Sequence, residues 1–247
     1  MAQDRIRAVL LDLDDTLLIN DMETFSPPYF RALMTKMQGV CSPGTFLEAL
    51  NTGMRAMMQN DGRGPTNAEV FAREFYSRIN RPREEIEPLL EDFYLRDFEN
   101  LAHLTAPDPA ARDLVMLLQQ EGIKMAIATQ PVFPSSAILA RLRWAGVSAD
   151  EFQYDLITSY ETMSACKPRR AFFESVLSRL GCRAPEALMV GDSLEMDMPA
   201  RKMGLRTFWV DRGRGSQSDT MPADAQGSLH DLLRLFQTGA LHVLTAR

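Results

Sequence analysis

Ala8-Val9-Leu10-Leu11-Asp12-Leu13-Asp14-Asp15-Thr16-Leu17 is an apolar run that stops on a knot of acids. A short apolar run bounded by turn-type residues predicts a buried strand over residues 8–13. Side chains two apart on an extended segment point the same way, so Asp12 and Asp14 can face one ligand from the end of that strand. Three acids after a strand also serve as an ordinary turn or helix cap, and the cluster alone does not separate the two readings.

Working outward, similar apolar runs recur at 124–129, 187–190 and 207–210, with a weaker one at 154–158. Helix-like segments at 109–120, 134–144, 168–180 and 199–203 separate them, with Pro at or near their starts and Gly just past their ends. Strands alternating with helices of this length predict parallel βαβ units in an open, doubly wound α/β sheet. Residues 211–227 read as a polar loop leading to a last short helix at 228–237.

The alternation breaks between about residues 20 and 105. There the sequence carries no convincing strand but four amphipathic segments, at 27–38, 43–60, 67–79 and 83–98. Phe71, Phe75 and Ile79 form one such face. This predicts a helical insertion after the first strand, giving a core of residues 1–19 and 106–247 and an inserted unit of residues 20–105.

The other strand ends change the odds for the acid cluster. The second strand finishes on Thr129, Lys167 sits just before a proline-started helix, and the fourth strand finishes on Gly191-Asp192-Ser193 with Asp197 beyond. Singly, these are a cap, a surface charge and helix-start acids. Together they place a hydroxyl, a cation and several acids at the strand ends, where open parallel sheets bind ligands.

In that order these motifs resemble those of the haloacid dehalogenase-like hydrolase superfamily, over most of the chain from Asp12 to about Val210. The resemblance implies a Rossmann-like core and a helical cap of the C1 type inserted between the first and second motifs. It implies that Asp12 is a nucleophile forming an aspartyl-phosphate, which splits one hard displacement into two. Mg²⁺ would be held by Asp12, the main chain of Asp14 and Asp192, bridging two negative partners. Asp14 would protonate the leaving oxygen and later activate water. Thr129 and Lys167 would bind the phosphate oxygens, with Lys167 also restraining Asp12. Ser193 and Asp197 would stand behind them, Asp197 orienting Lys167 or a metal-bound water. Gln130 departs from the pattern, because relatives often carry Asn or Ser there; its main-chain N–H can still serve the phosphate.

The expected activity is hydrolysis of a small phosphorylated metabolite. A dehalogenase would also use an aspartate nucleophile but needs neither Mg²⁺ nor a second acid two residues on, so Asp14 favours a phosphatase. Phosphonate cleavage would require a cap lysine for Schiff-base chemistry, and Lys36 is the one lysine of that region. A mutase, or a non-catalytic binding protein on the same fold, are the remaining readings. Neither the substrate nor the oligomeric state is legible.

Other features carry less. A net charge of -6 argues against broad contact with nucleic acid or anionic membrane. No apolar run reaches the roughly 18 residues of a membrane span, and the polar start of the chain does not read as a secretory signal. Cys41, Cys166 and Cys182 are odd in number and show no metal-ligand spacing, so a reduced, cytoplasmic setting is expected. Cys166 reads as a small spacer beside Lys167, and His103, His230 and His242 as incidental. Met22, Met34, Met37, Met54, Met57 and Met58 concentrate in the inserted region and read as packing, and Arg31 and Arg55 as surface residues.

Overall fold

The computed structural model describes residues 5–213, 223–241 and 244. Strand β1 (Ala8–Leu11) is buried at every residue and lies at the centre of the sheet. The chain then passes through β2 (Leu18–Ile19) into four helices: α1 (Met22–Lys36), α2 (Pro43–Gln59), α3 (Asn67–Tyr76) and α4 (Arg83–Asp92). It returns through β3 (Ala106–Pro107), and then alternates: α5 (Ala111–Gln120), β4 (Lys124–Ile127), α6 (Ser135–Trp144), β5 (Leu156–Ile157), α7 (Arg170–Leu180) and β6 (Ala187–Gly191). Strands β7 (Arg206–Val210) and β8 (Ala225–Gly227) and helix α8 (Leu229–Thr238) complete the order.

The main sheet has the order β5-β4-β1-β6-β7-β8, and all its pairings are parallel. After β1 the chain builds outward through β4 and β5, then crosses back to β6 on the other side of β1. This is a doubly wound Rossmann-like sheet with its switch point at β1. Both faces are covered, which is why the strands read as continuous apolar runs. Val9 and Leu11 pack on one face with Leu114, Ile138 and Leu232. Ala8 and Leu10 pack on the other with Phe172, Phe173 and Val176 of α7.

The insertion is helical, but its elements differ from the sequence expectation. Helix α1 starts at Met22, capped by the Asp21 side chain, and runs through Pro27 and Pro28 instead of starting there. Each proline removes one helical hydrogen bond. Burial of Phe25, Tyr29 and Leu33 on one face outweighs that loss. The segment expected at 83–98 is α4 followed by a π turn (Phe93–Asp97) and a 3-10 helix (Phe98–Leu104). Together they bury Phe93 and Phe98 and stack Phe98 on Trp144 of α6 at 5.1 Å. The expected loop at 211–227 ends in strand β8, and residues 214–222 of it lie outside the described residues, as does His242.

Two links join the insertion to the sheet, and they pair with each other as β2 and β3, antiparallel. A second attachment comes from α3. Its first N–H groups, at Asn67 and Ala68, donate to the carbonyls of Met163 (2.7 Å) and Tyr160 (2.7 Å) in the loop before Lys167. The inserted helices share one apolar cluster that takes in Ala137 and Ala140 of α6, so the insertion rests on a core helix and not on the sheet itself.

Candidate active site

β1, β4 and β6 end together, and the residues just beyond them form the site. The N–H of Asp12 donates to Val190 O of β6 at 2.9 Å, fixing the nucleophile candidate at the strand end. Lys167 reaches it from the loop between β5 and α7. Its Nζ donates to Asp12 Oδ1 at 2.7 Å and to Asp197 Oδ1 at 2.6 Å. All three are buried, and Asp197 completely so. The other Asp197 oxygen accepts from Ser193 N at 3.1 Å, so both oxygens of Asp197 are engaged and hold Lys167 against Asp12.

Gly191 is required by this packing. A Cβ there would lie 2.1 Å from Asp197 Oδ2, far inside contact distance. Asp15 supports the turn differently. It sits at φ 53, uncommon for a residue with a side chain, and its Oδ1 accepts from Asn20 N at 3.1 Å. Arg212 braces the same turn, donating to the carbonyls of Asp15 (2.7 Å) and Thr16 (2.6 Å) and pairing with Asp108 at 2.6 Å.

The electrostatics are those of an anionic pocket with one lysine. Burial pushes Asp12 well above the usual carboxylate range; Lys167 opposes this, while Asp197 and Asp192 add to it. Burial, with Asp197 and Asp15 nearby, pushes Asp192 up to about 7. Burial disfavours charge on Lys167, but Asp12 and Asp197 outweigh it and hold the ammonium above its ordinary value. Side-chain oxygens of Asp12, Asp192 and Asp197 lie within 4.8 Å of one another. Three carboxylates facing one ammonium, with two of them pushed toward the neutral form, fit a hard divalent cation that takes oxygen ligands. Asp197 is already committed to Lys167 and Ser193, which leaves Asp12 and Asp192 as the side chains available to such an ion.

Asp14 does not join that cluster. Its carboxylate is ion-paired to Nη1 of Arg141, on α6, and accepts from Asn20 Nδ2 at 2.6 Å. What remains for a cation is its main chain, the part that the family resemblance assigned. Arg141 is 1% exposed, stacks its guanidinium 4.4 Å from the Phe133 ring centroid, and leaves Nη2 without a partner. Asn20 Oδ1 is likewise buried and unpartnered. Sequence reasoning missed both residues. The available signal was positional: Arg141 falls four residues after Ala137 and three after Ile138, on the buried face of its helix.

The remaining expected residues are distributed as follows. Thr129 is buried two residues past β4, its carbonyl accepting from Thr158 Oγ1 at 2.9 Å. The Gln130 side chain brackets the main chain of Lys167, accepting from its N–H at 2.9 Å and donating to its carbonyl at 3.2 Å. Its amide is thus spent on placing Lys167, and only its main chain is left for a phosphate. Cys166 is buried among Met57, Val70 and Tyr160, as a spacer would be. Lys36 is paired with Asp92 and Asp97, which hold its ammonium above the ordinary value, the opposite of what Schiff-base chemistry needs.

A doubly wound parallel sheet that gathers a carboxylate–lysine pair at its switch point is an α/β architecture that binds its ligand at the strand ends. The family profile described as haloacid dehalogenase-like hydrolase matches residues 6–203, and this chain belongs to that family. Among curated relatives, it is 28% identical to the ribulose-1,5-bisphosphate 5-phosphatase of Halopiger xanaduensis over 85% of this chain and 87% of that one. It is 25% identical to the glyceraldehyde 3-phosphate phosphatase of Pyrococcus furiosus over 87% and 85% of the two chains. The crystal structure of a 2-haloacid dehalogenase from Pseudomonas syringae pv. Tomato superposes with a TM-score of 0.62 at 20% identity, covering 95% of this chain and 99% of that chain.

Proposed function

We propose that the chain is a Mg²⁺-dependent phosphomonoester hydrolase acting on a small phosphorylated molecule. The observation that carries this reading is Asp12 paired with a buried Lys167, with a second acid, Asp14, two residues on. The relatives with phosphatase activity support it. The fold likeness to a dehalogenase does not weigh against it, because both activities share the fold and Asp14 has no task in dehalogenation.

Asp12 attacks phosphorus, and the bond to the leaving oxygen breaks as Asp14 delivers a proton to that oxygen, releasing the alcohol. Water then attacks the aspartyl-phosphate, Asp14 takes its proton, and the bond from phosphorus to Asp12 breaks to release phosphate. Lys167 and Thr129 hold the non-bridging oxygens, and Lys167, positioned by Asp197 and Gln130, keeps Asp12 aligned. Asp12, Asp192 and the main chain of Asp14 would hold Mg²⁺, which when bound supplies the positive charge that lets a carboxylate approach a phosphate dianion.

Residues 20–105 act as a cap, residues 1–19 and 106–247 as the catalytic core, and the β2–β3 pair is the joint between them. No helix among the described residues is long and apolar enough to cross a membrane, and the three cysteines are free, which supports a cytoplasmic setting. Hydrolysis of acetyl phosphate with and without Mg²⁺, together with mass-spectrometric trapping of phosphate on Asp12, tests the reading. Chloride release from a chlorinated carboxylic acid, with no phosphate release from any ester, would replace it by the dehalogenase.

A further inference from the structure

We propose, resting on the phosphatase reading above, that Asn67 of the insertion is a positioning residue for phosphate binding, tying together the two loops that carry Thr129 and Lys167. Asn67 is the first residue of α3 and is fully buried. An Asn at a helix start ordinarily caps it, but that task falls to Thr66, whose side chain closes a capping box with Glu69. The Asn67 amide is free to serve elsewhere, and both its nitrogen and its oxygen are used. Nδ2 donates to Pro131 O at 3.0 Å and to Cys166 Sγ at 3.5 Å, and Oδ1 accepts from Asn60 Nδ2 at 3.0 Å.

Pro131 follows Gln130 and Cys166 precedes Lys167, so one amide joins the two phosphate loops at points 64 and 99 residues away. The loops also join each other, since the Gln130 side chain brackets the main chain of Lys167. The start of α3, the loop after β4 and the loop before α7 thus form a triangle, each side closed by hydrogen bonds.

The turn between α2 and α3 grips the same strip on both sides of Lys167. Cys166 Sγ donates to Met57 O at 3.4 Å, and Arg169 Nε donates to Met58 O at 3.1 Å. Asp61 and Ala165 form an antiparallel bridge, and Gly62 stands so near Ala171 that a Cβ on it would lie 2.7 Å from the Ala171 Cβ. Lys167 Nζ must meet Asp12 at 2.7 Å and Asp197 at 2.6 Å. A misplacement of about 1 Å in such a group can cost about a hundredfold in rate. Phosphate binding by the core therefore depends on the insertion being docked, with Asn67 as the buried tie.

Asn67→Leu fills the same space without the amide, and Asn67→Ala, which leaves room for a water at Pro131 O, is the milder change. In both, kcat/KM should fall by at least about tenfold, and the inhibition constant of inorganic phosphate with Mg²⁺ present should rise by at least about fivefold. The loss should be the same for ethyl and phenyl phosphate, because the displaced loops hold the phosphoryl group that all esters share. Thr66→Ala removes the α3 cap and supplies the comparison: it should lower stability in urea and leave the phosphate inhibition constant at the wild-type value. An unchanged constant in a folded Asn67 variant, an equal rise in Thr66→Ala, a loss confined to one ester, or failure of both Asn67 variants to fold overturns the inference and leaves the phosphatase reading standing. Failure of the wild type to hydrolyse any ester, acetyl phosphate included, overturns the phosphatase reading beneath it.

Discussion

Arg141 and Asp14, 127 residues apart, form an ion pair in which the arginine is 1% exposed, the aspartate is half-buried, and Nη2 of the arginine has no partner. The pair ties the proposed acid–base residue to helix α6, the same helix on which the insertion rests.

Truncating the arginine to methionine removes the cation beside Asp14 and leaves its carboxylate with the Asn20 amide alone. Arg141→Met should destabilise the fold by about 2–3 kcal/mol in urea unfolding, somewhat below the cost for a fully buried pair because Asp14 retains some solvent contact. It should also slow alkyl phosphates more than aryl phosphates, since the proton from Asp14 matters most for poor leaving groups. Arg141→Lys should recover part of the stability. Equal losses on both ester types would remove Arg141 from any positioning role.

Asp12→Asn keeps the size of the side chain and its place against Lys167. The variant should remain folded, fail to accumulate covalently bound phosphate, and lose turnover by at least about a thousandfold. Retention of more than a few per cent of activity in a clean preparation would end the covalent mechanism.

Gly191→Ala places a methyl group on Asp197. Asp197 must shift, and Lys167 loses one of its two anchors. The expected result is a loss of about 1–3 kcal/mol from overpacking together with a fall in kcat larger than the change in KM. Wild-type kinetics in this variant would mean that the position of Asp197 is immaterial to catalysis.

Labelling of Cys166 tests whether the insertion moves. It is fully buried under Met57 and Val70 of the insertion, and burial pushes its thiol up to about 12. Alkylation at pH 8 should be slow beside that of the partly exposed Cys41 and Cys182. If the insertion opens as a lid about β2 and β3, adding Mg²⁺ with a phosphate analogue should slow labelling of Cys166 further. Unchanged labelling, with unchanged hydrogen exchange at both links, would make the insertion a fixed layer.

Glu186 gives a pH dependence of known sign. Hydrogen bonds from the Arg183 side chain and N–H bring its carboxyl down from 4.5 to about 2. A depressed folded-state value stabilises the protein above the unfolded value, and this is lost as pH falls through the folded one. The stability difference between wild type and Glu186→Gln should therefore be constant above about pH 5 and shrink as the pH falls toward 2. A difference that grows on acidification would contradict the assignment.

The α/β core and the members of the carboxylate–lysine site were legible in the chain because both are written locally. An apolar run ending in Asp12, Thr129 or Gly191-Asp192 is a strand with polar side chains at its end, and a parallel sheet brings all such ends to one edge. Tertiary structure decided what no local pattern encodes. Helix α1 runs through Pro27 and Pro28 because burial of Phe25, Tyr29 and Leu33 outweighs two lost hydrogen bonds, a balance set by partners far along the chain. Strand β8 follows a polar segment and exists because β7 offers it an edge to pair with. Gln130 supports the main chain of Lys167, and Arg141 holds Asp14, through contacts spanning 37 and 127 residues. Sequence fixes which groups are available to the site, but a side chain's partner depends on which distant surface folding brings against it, and that follows from packing the whole chain.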